Sequence, residues 1–160
     1  MKVYLLLGTN IEPRLEFLRS ALGLIQAQVG AIVQQSKVYE TAAWGKENQS
    51  DFLNLAIAVE TDFEPATLLA KLKAIEGIAG RQQREVWGER EIDIDILLME
   101  DSVFKLPALE VPHPRLHERN FALQPLLEIA PTVIHPVLQQ SIATLAAACS
   151  DLKEVRVFEL

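Results

Sequence analysis

The stretch Glu91-Ile92-Asp93-Ile94-Asp95-Ile96-Leu97 alternates strictly between acidic and apolar residues. In an extended strand its isoleucines face one way, into a core. Glu91, Asp93 and Asp95 then share the other face, with the two aspartates roughly 6.5–7 Å apart. Like charges on one face repel unless something compensates them. Magnesium is a hard cation that takes one or two carboxylates together with substrate phosphates. Two such ions about 3.5–4 Å apart clamp a phosphoryl group in transfer. A lone Asp-x-Asp is usually an ordinary solvated strand face, so the surroundings decide.

Those surroundings are cationic. Five of the eight arginines, Arg81, Arg84, Arg90, Arg115 and Arg119, fall between positions 81 and 119, with His113 and His117 in the same window. The planar guanidinium pairs two phosphate oxygens at once, which suits it to hold a polyphosphate beside its counter-cation. Salt bridges to Glu85, Glu89 and Glu91 account for some of these arginines, but not for the length of the loop 80–90 that carries them. Structureless loops of that length are often lids or binding loops, and Gly80 and Gly88 bracket this one as candidate hinges. No Gly-x-x-x-x-Gly-Lys-Ser/Thr motif is present, so a nucleotide is held by side chains and metal rather than by a backbone cradle. His113 and His117 are four apart, but Pro112 and Pro114 flank His113 and prevent the helix that would align them. No cysteine or Glu-x-x-His pattern supports zinc. We assign His113 to phosphate, His117 to a surface or structural role, and His135, between Ile134 and Pro136, to packing.

A third group of residues suits a flat ring. Phe52 and Asn54 point the same way on one strand, Ala56 and Ala58 leave room beside them, and Phe121 follows the arginine cluster. Trp44 and Trp87 lie in the two long loops. Two aromatic faces and an amide suit a planar heterocycle, stacked by the rings and read at its edge by Asn54. Either phenylalanine alone would be read as core.

The elements that position these residues follow from periodicity. Residues 3–7 form a continuous apolar run, read as a central strand. Leu15, Leu18, Leu22, Ile25 and Val29 recur at helical spacing, and Gly30 ends that helix. Strands are expected at 32–39, 52–61 and 92–99. A second helix opens at Pro65 with Leu68, Leu72, Ile75 and Ala79 on its buried stripe. Residues 41–50 are a loop, Pro107, Pro112 and Pro114 mark an irregular region, and 120–129 and 141–148 are short helices. The order matches a ferredoxin-like, split β-α-β arrangement with a C-terminal extension, in one domain over 1–160. It predicts a mainly antiparallel sheet with helices on one face and the other face free for a site.

Composition sets bounds on all this. The chain has 160 residues, is 49% hydrophobic and carries a net charge of −7, which argues against non-specific binding to nucleic acid or anionic membrane. The lone Cys149 has no internal disulfide partner and sits in an apolar stretch, as a buried inert thiol would. The apolar run at the N-terminus is too short for a signal peptide, and no stretch reaches membrane-spanning length. A monomeric cytoplasmic protein is the expectation.

The same residues resemble the 6-hydroxymethyl-7,8-dihydropterin pyrophosphokinase family of folate biosynthesis. The likeness runs from Leu7-Gly8-Thr9-Asn10 to Pro125-Leu126-Leu127-Glu128-Ile129-Ala130-Pro131. Its most specific parts are Trp87 to Leu97 and Val111-Pro112-His113-Pro114-Arg115-Leu116-His117-Glu118-Arg119, with Tyr39-Glu40-Thr41 and Phe52-Leu53-Asn54 adding to it. The resemblance implies transfer of the β,γ-pyrophosphoryl group of ATP to the pterin hydroxymethyl oxygen, with two magnesium ions on Asp93 and Asp95. It implies a pterin sandwiched by Phe52 and Phe121 and read by Asn54, with Thr41, Ala43, Trp44, Trp87 and Asp93 around it. Arg81, Arg90, His113 and Arg119 would hold phosphates. Lys73, Glu76, Trp87, Ile96 and Pro114 would line the nucleotide side, and loop 80–90 would close as a lid. Ala42-Ala43 replaces a usual pair of prolines, Glu89 a common proline and Val86 a more usual charged residue. Another metal-dependent phosphotransferase on this fold, or a non-catalytic ligand-binding module, is the alternative. The phosphotransferase would use Asp93 and Asp95 with a different acceptor, whereas a non-catalytic module does not need two carboxylates facing an arginine-rich loop.

Overall fold

The structure is a computed structural model, and it describes residues 1–42, 50–82 and 89–160. Eight strands and four helices follow one another as β1 (Lys2–Thr9), α1 (Arg14–Gln28), β2 (Ala31–Gln35), β3 (Tyr39–Thr41), β4 (Phe52–Glu60), α2 (Pro65–Ile78), β5 (Asp93–Met99), β6 (Phe104–Leu106), β7 (Leu109–Val111), α3 (Asn120–Ile129), α4 (Ile142–Ala148) and β8 (Val155–Val157). A short 3-10 turn, Leu116–Glu118, precedes α3.

The main sheet runs β5-β1-β4-β3-β8, with β2 pairing β4 beside β3. Every pairing in it is antiparallel. The expected strand 32–39 is in fact two strands. Ser36 interrupts it by turning its hydroxyl into the sheet, where Oγ accepts the Ala56 N–H at 2.9 Å. Gly30 ends α1 as expected, for a steric reason: a Cβ there would lie 1.8 Å from the Glu60 carbonyl oxygen. Pro65 occupies the first turn of α2, where its missing N–H leaves no helix bond unmade.

Alternation along the strands divides the core in two. Val3, Leu5, Leu7, Leu53, Leu55, Ile57, Ile94 and Ile96 bury one sheet face against α1 and α2. On the opposite face Tyr4, Leu6, Ala58 and Leu98 pack against Ala122, Leu123 and Leu126 of α3 and Ile142 and Leu145 of α4. The expectation of helices on a single face is therefore corrected. The C-terminal extension returns over the second face because its own apolar stripes have nowhere else to be buried. Only the end of that face, near the C-terminus of β1 and the N-terminus of β5, is left open.

Two further elements were not expected. The region marked irregular by prolines holds the β6–β7 hairpin, after which the His113 N–H donates to the Leu97 carbonyl at 2.9 Å and ties the segment to β5. The chain ends with β8, which adds an edge to β3. Cys149 is half-buried rather than buried, and free. Among the described residues no helix is long and apolar enough to cross a membrane.

Candidate active site

The open end of the second face is a cavity of about 270 Å³. Leu6 and Gly8 of β1, Phe52 and Asn54 of β4, Thr41 and Ala42, Arg90, Asp93 and Asp95 of β5, His113, Arg119 and Phe121 line it. The strand pleat explains the selection. Leu6 pairs with Asp95, and Gly8 lies between Asn54 on one side and Asp93 on the other, so these positions share a face. Gly8 is required there, because a Cβ would come within 2.7 Å of Asn54 Oδ1. Phe121 enters from the first turn of α3, and the Arg119 guanidinium lies 5.6 Å from its ring centroid, a cation–π contact that holds both.

The carboxylates behave differently from one another. Asp93 accepts two guanidinium N–H groups, from Arg81 Nη1 to Oδ1 and from Arg90 Nη1 to Oδ2, each at 2.7 Å. Arg81 Nη1 also reaches Glu76 Oε1 at 3.0 Å. Asp95 is pushed up to about 7, first by burial and then by the negative charge of Asp93, against the pull of Arg119. Burial, and then the nearby Arg119 charge, hold the His113 imidazole down at about 4. It is therefore neutral at pH 7 and offers a phosphate a hydrogen bond rather than a charge. Burial likewise lowers Arg119.

The Thr41 side chain adds a polar signal. Its Oγ1 is buried and has no hydrogen-bond partner among the described residues, and Thr41 lines the cavity beside Asn54. A buried hydroxyl left unpaired is uncommon in a folded protein, and here a ligand edge would pair it.

The expected site residues fall into three groups. Thr41, Phe52, Asn54, Arg90, Asp93, Asp95, His113, Arg119 and Phe121 come together on this cavity. Arg81, Glu76 and Lys73 stand behind it. Glu76 is only 3% exposed. Its Oε2 accepts the Ile94 N–H at 2.7 Å, and Lys73 Nζ lies 3.5 Å from its Oε1. Ile96 is in the core on the α2 side of the sheet. Pro114 lies on a neighbouring cavity of about 210 Å³, which shares His113. Ala43, Trp44 and Trp87 lie outside the described residues, as does most of the expected lid 80–90. Glu91 leaves the face it was expected to share with Asp93 and Asp95. It precedes β5, is buried, and accepts the Gln82 N–H. Arg115 is exposed, and its backbone N–H donates to His113 Nδ1. Leu6 and Gly8 were not anticipated. Their signal was present in the apolar run of β1, whose alternate members must face the second side of the sheet.

Aromatic rings, two carboxylates and an arginine cluster around one open sheet end define an enzyme site for a flat, phosphorylated substrate system. Comparison with known proteins makes this specific. The family model for 7,8-dihydro-6-hydroxymethylpterin-pyrophosphokinase matches residues 4–131, and the chain belongs to that family. A 2-amino-4-hydroxy-6-hydroxymethyldihydropteridine pyrophosphokinase from Aquifex aeolicus is 43% identical, over 94% of this chain and 98% of its own. One from Bacillus subtilis is 38% identical, over 98% of this chain and 89% of its own. A crystal structure of Plasmodium falciparum HPPK-DHPS shares the fold with TM-score 0.74 at 20% identity. That match covers 91% of this chain and 42% of the solved one, so this chain spans less than half of it. The chain is an ATP-dependent pyrophosphokinase of folate biosynthesis.

Proposed function

We propose that the cavity of about 270 Å³ is where pyrophosphoryl passes from ATP to the hydroxymethyl oxygen of 6-hydroxymethyl-7,8-dihydropterin. The observation that carries this reading is the position of Asp93 and Asp95 on the same cavity wall as Phe52, Asn54 and Phe121. The pterin ring lies between Phe52 and Phe121, and Asn54 and the unpaired Thr41 hydroxyl read its edge. Arg81, Arg90, Arg119 and His113 take the phosphates, and Lys73, Glu76, Ile96 and Pro114 define the nucleotide side.

Two magnesium ions fit this donor set. Asp93 and Asp95 are hard oxygen ligands on one face. Among the described residues no group of three or more His, Cys, Asp or Glu side chains forms a metal cage. Magnesium characteristically takes few protein carboxylates and completes its shell with phosphate and water. Bound there, it would neutralise charge developing on the departing AMP. The chain's residues do the rest by orientation: the rings fix the acceptor oxygen, the guanidiniums fix the phosphate chain, and in-line alignment supplies most of the acceleration.

The strand order β5-β1-β4-β2/β3 with antiparallel pairing throughout supports a ferredoxin-like description of the core, with α3, α4 and β8 as the extension. We read the chain as one domain, 1–160, that works as a monomer. We place it in the cytoplasm, where ATP is the available donor.

The test is product analysis. Protein, Mg-ATP and 6-hydroxymethyl-7,8-dihydropterin are incubated, nucleotides are resolved by chromatography and the pterin product is read by phosphorus NMR. AMP with a pterin diphosphate is expected. Stoichiometric ADP with a pterin monophosphate would overturn the assignment.

A further inference from the structure

Asn10 sits just beyond β1 and is 1% exposed. Its side chain joins two distant parts of the chain. Oδ1 accepts the Arg90 N–H at 2.8 Å, and Nδ2 donates to the Ser50 carbonyl at 3.2 Å. Its own backbone N–H donates to the Arg90 carbonyl at 3.0 Å. Ser50 and Arg90 lie where the chain approaches β4 and β5 after the connections that follow β3 and α2. On one side Arg90 carries the guanidinium that bonds Asp93. On the other, Ser50 leads through Asp51 into Phe52, which lines the cavity.

The geometry points to Asn10 as a positioning residue that couples the aromatic half of the cavity to its arginine half, so that each substrate helps to order the site of the other. A carboxamide suits this place because it alone combines an acceptor and a donor in one short planar group. The Arg90 N–H needs the acceptor and the Ser50 carbonyl the donor. Asn10 is itself buried, so its amide meets these partners rather than bulk water and holds both in register. Asn10 is not among the residues that line the cavity. Its effect passes through Arg90 and Phe52, as coupling through a shared rigid element does.

The inference rests on the substrate assignment above, and wild-type AMP release in the same assay checks that assignment separately. The variants are Asn10→Ala, which removes both side-chain bonds, and Asn10→Asp, which keeps the acceptor for Arg90 and loses the donor to Ser50. The readout is pterin affinity with and without a non-hydrolysable ATP analogue. In the wild type the analogue is expected to tighten pterin binding. In Asn10→Ala that enhancement shrinks by about thirtyfold, or to nothing where it is smaller, the equivalent of two ordinary hydrogen bonds. The affinity for pterin alone changes far less. Asn10→Asp loses a fraction of the enhancement and carries the test if Asn10→Ala does not fold. A purely structural role would lower the melting temperature and leave the enhancement intact. A folded variant whose enhancement equals the wild type's overturns the inference, while wild-type protein that releases no AMP overturns the assignment beneath it.

Discussion

Replacing Asp93 by asparagine separates catalytic from structural roles in one residue. Asp93 accepts two guanidinium bonds at 2.7 Å, from Arg81 and Arg90, whose side chains are 31% and 25% exposed. An amide oxygen keeps the geometry but loses the charge. At that exposure the loss amounts to about 1 kcal/mol per pair. Against it stands a relief. The Asp93 charge is what burial leaves as the second cause of the raised Asp95, so removing it eases a like-charge repulsion. The net destabilisation is about 1–2 kcal/mol at most, which for a chain of this size lowers Tm by roughly 2–8 °C. Turnover responds on another scale. Losing one of two carboxylates that hold the metal charge raises the barrier by several kcal/mol, and about 4 kcal/mol is a thousandfold. The assay is AMP release across a magnesium titration, alongside a melting curve. Asp95→Asn at pH 8 should lose turnover similarly while its Tm holds or rises, because a carboxylate whose ionisation is disfavoured has been removed. Turnover of Asp93→Asn within tenfold of wild type at ordinary magnesium would refute the metal assignment, and a Tm loss beyond about 15 °C would make Asp93 a structural residue.

The remaining predictions are narrower. His113 sits at about 4 in the fold, below its usual 6.5, so its contribution to stability is present above pH 6.5 and is lost as pH falls towards 4. The shift is worth about 3 kcal/mol. Denaturant midpoints of His113→Asn should fall less steeply than the wild type's across that window, and identical slopes would contradict the shift. Phe52→Ala and Phe121→Ala should each weaken pterin binding by roughly 1–3 kcal/mol and leave the ATP analogue nearly unaffected. Titration of each ligand separately checks this, and the reverse pattern would place the ring pocket on the wrong side.

The central strands were legible because burial writes itself into alternation. Leu53, Leu55, Ile57 and Val59 are all at 0–1% exposure, and the intervening Phe52 and Asn54 then have no choice but the cavity face. The same logic placed Asp93 and Asp95. It failed for Glu91, because alternation says nothing about where a strand begins, and β5 starts two residues later. Short edge elements were illegible for a different reason. β6, β7 and β8 are three residues each, too short for a period, and β8 takes its order from β3 rather than from its own composition. The two-sided helical cover was hidden because an apolar stripe on α3 reveals that something is buried, not which sheet face receives it. Glu76 and Asn10 were illegible as anchors. A carboxylate on a helix and an asparagine after a strand are common on surfaces, and only the chain's return at Ile94 and Arg90 gives them buried partners.

The ligand-free charge pattern has a consequence for how substrates enter. Arg81 and Arg90 are already paired with Asp93, and His113 is neutral at pH 7, so among the described residues the cavity offers an incoming triphosphate little unpaired positive charge apart from Arg119. For the guanidiniums to hold phosphate they must give up Asp93. That in turn leaves an uncompensated carboxylate on the same strand face as Asp95, whose own ionisation burial already opposes. Phosphate binding alone therefore worsens the aspartate pair. A cation alone is opposed by the two guanidiniums in its place. The exchange is favourable only when both partners change together: guanidinium moves from carboxylate to phosphate, and the carboxylates receive the divalent charge that arrives with the nucleotide. By this argument free ATP and free magnesium are each weak ligands, and their complex is the substrate the site is built to accept. The apparent redundancy of two arginines on one aspartate is then the means by which a half-buried acidic pair is kept tolerable until that complex arrives.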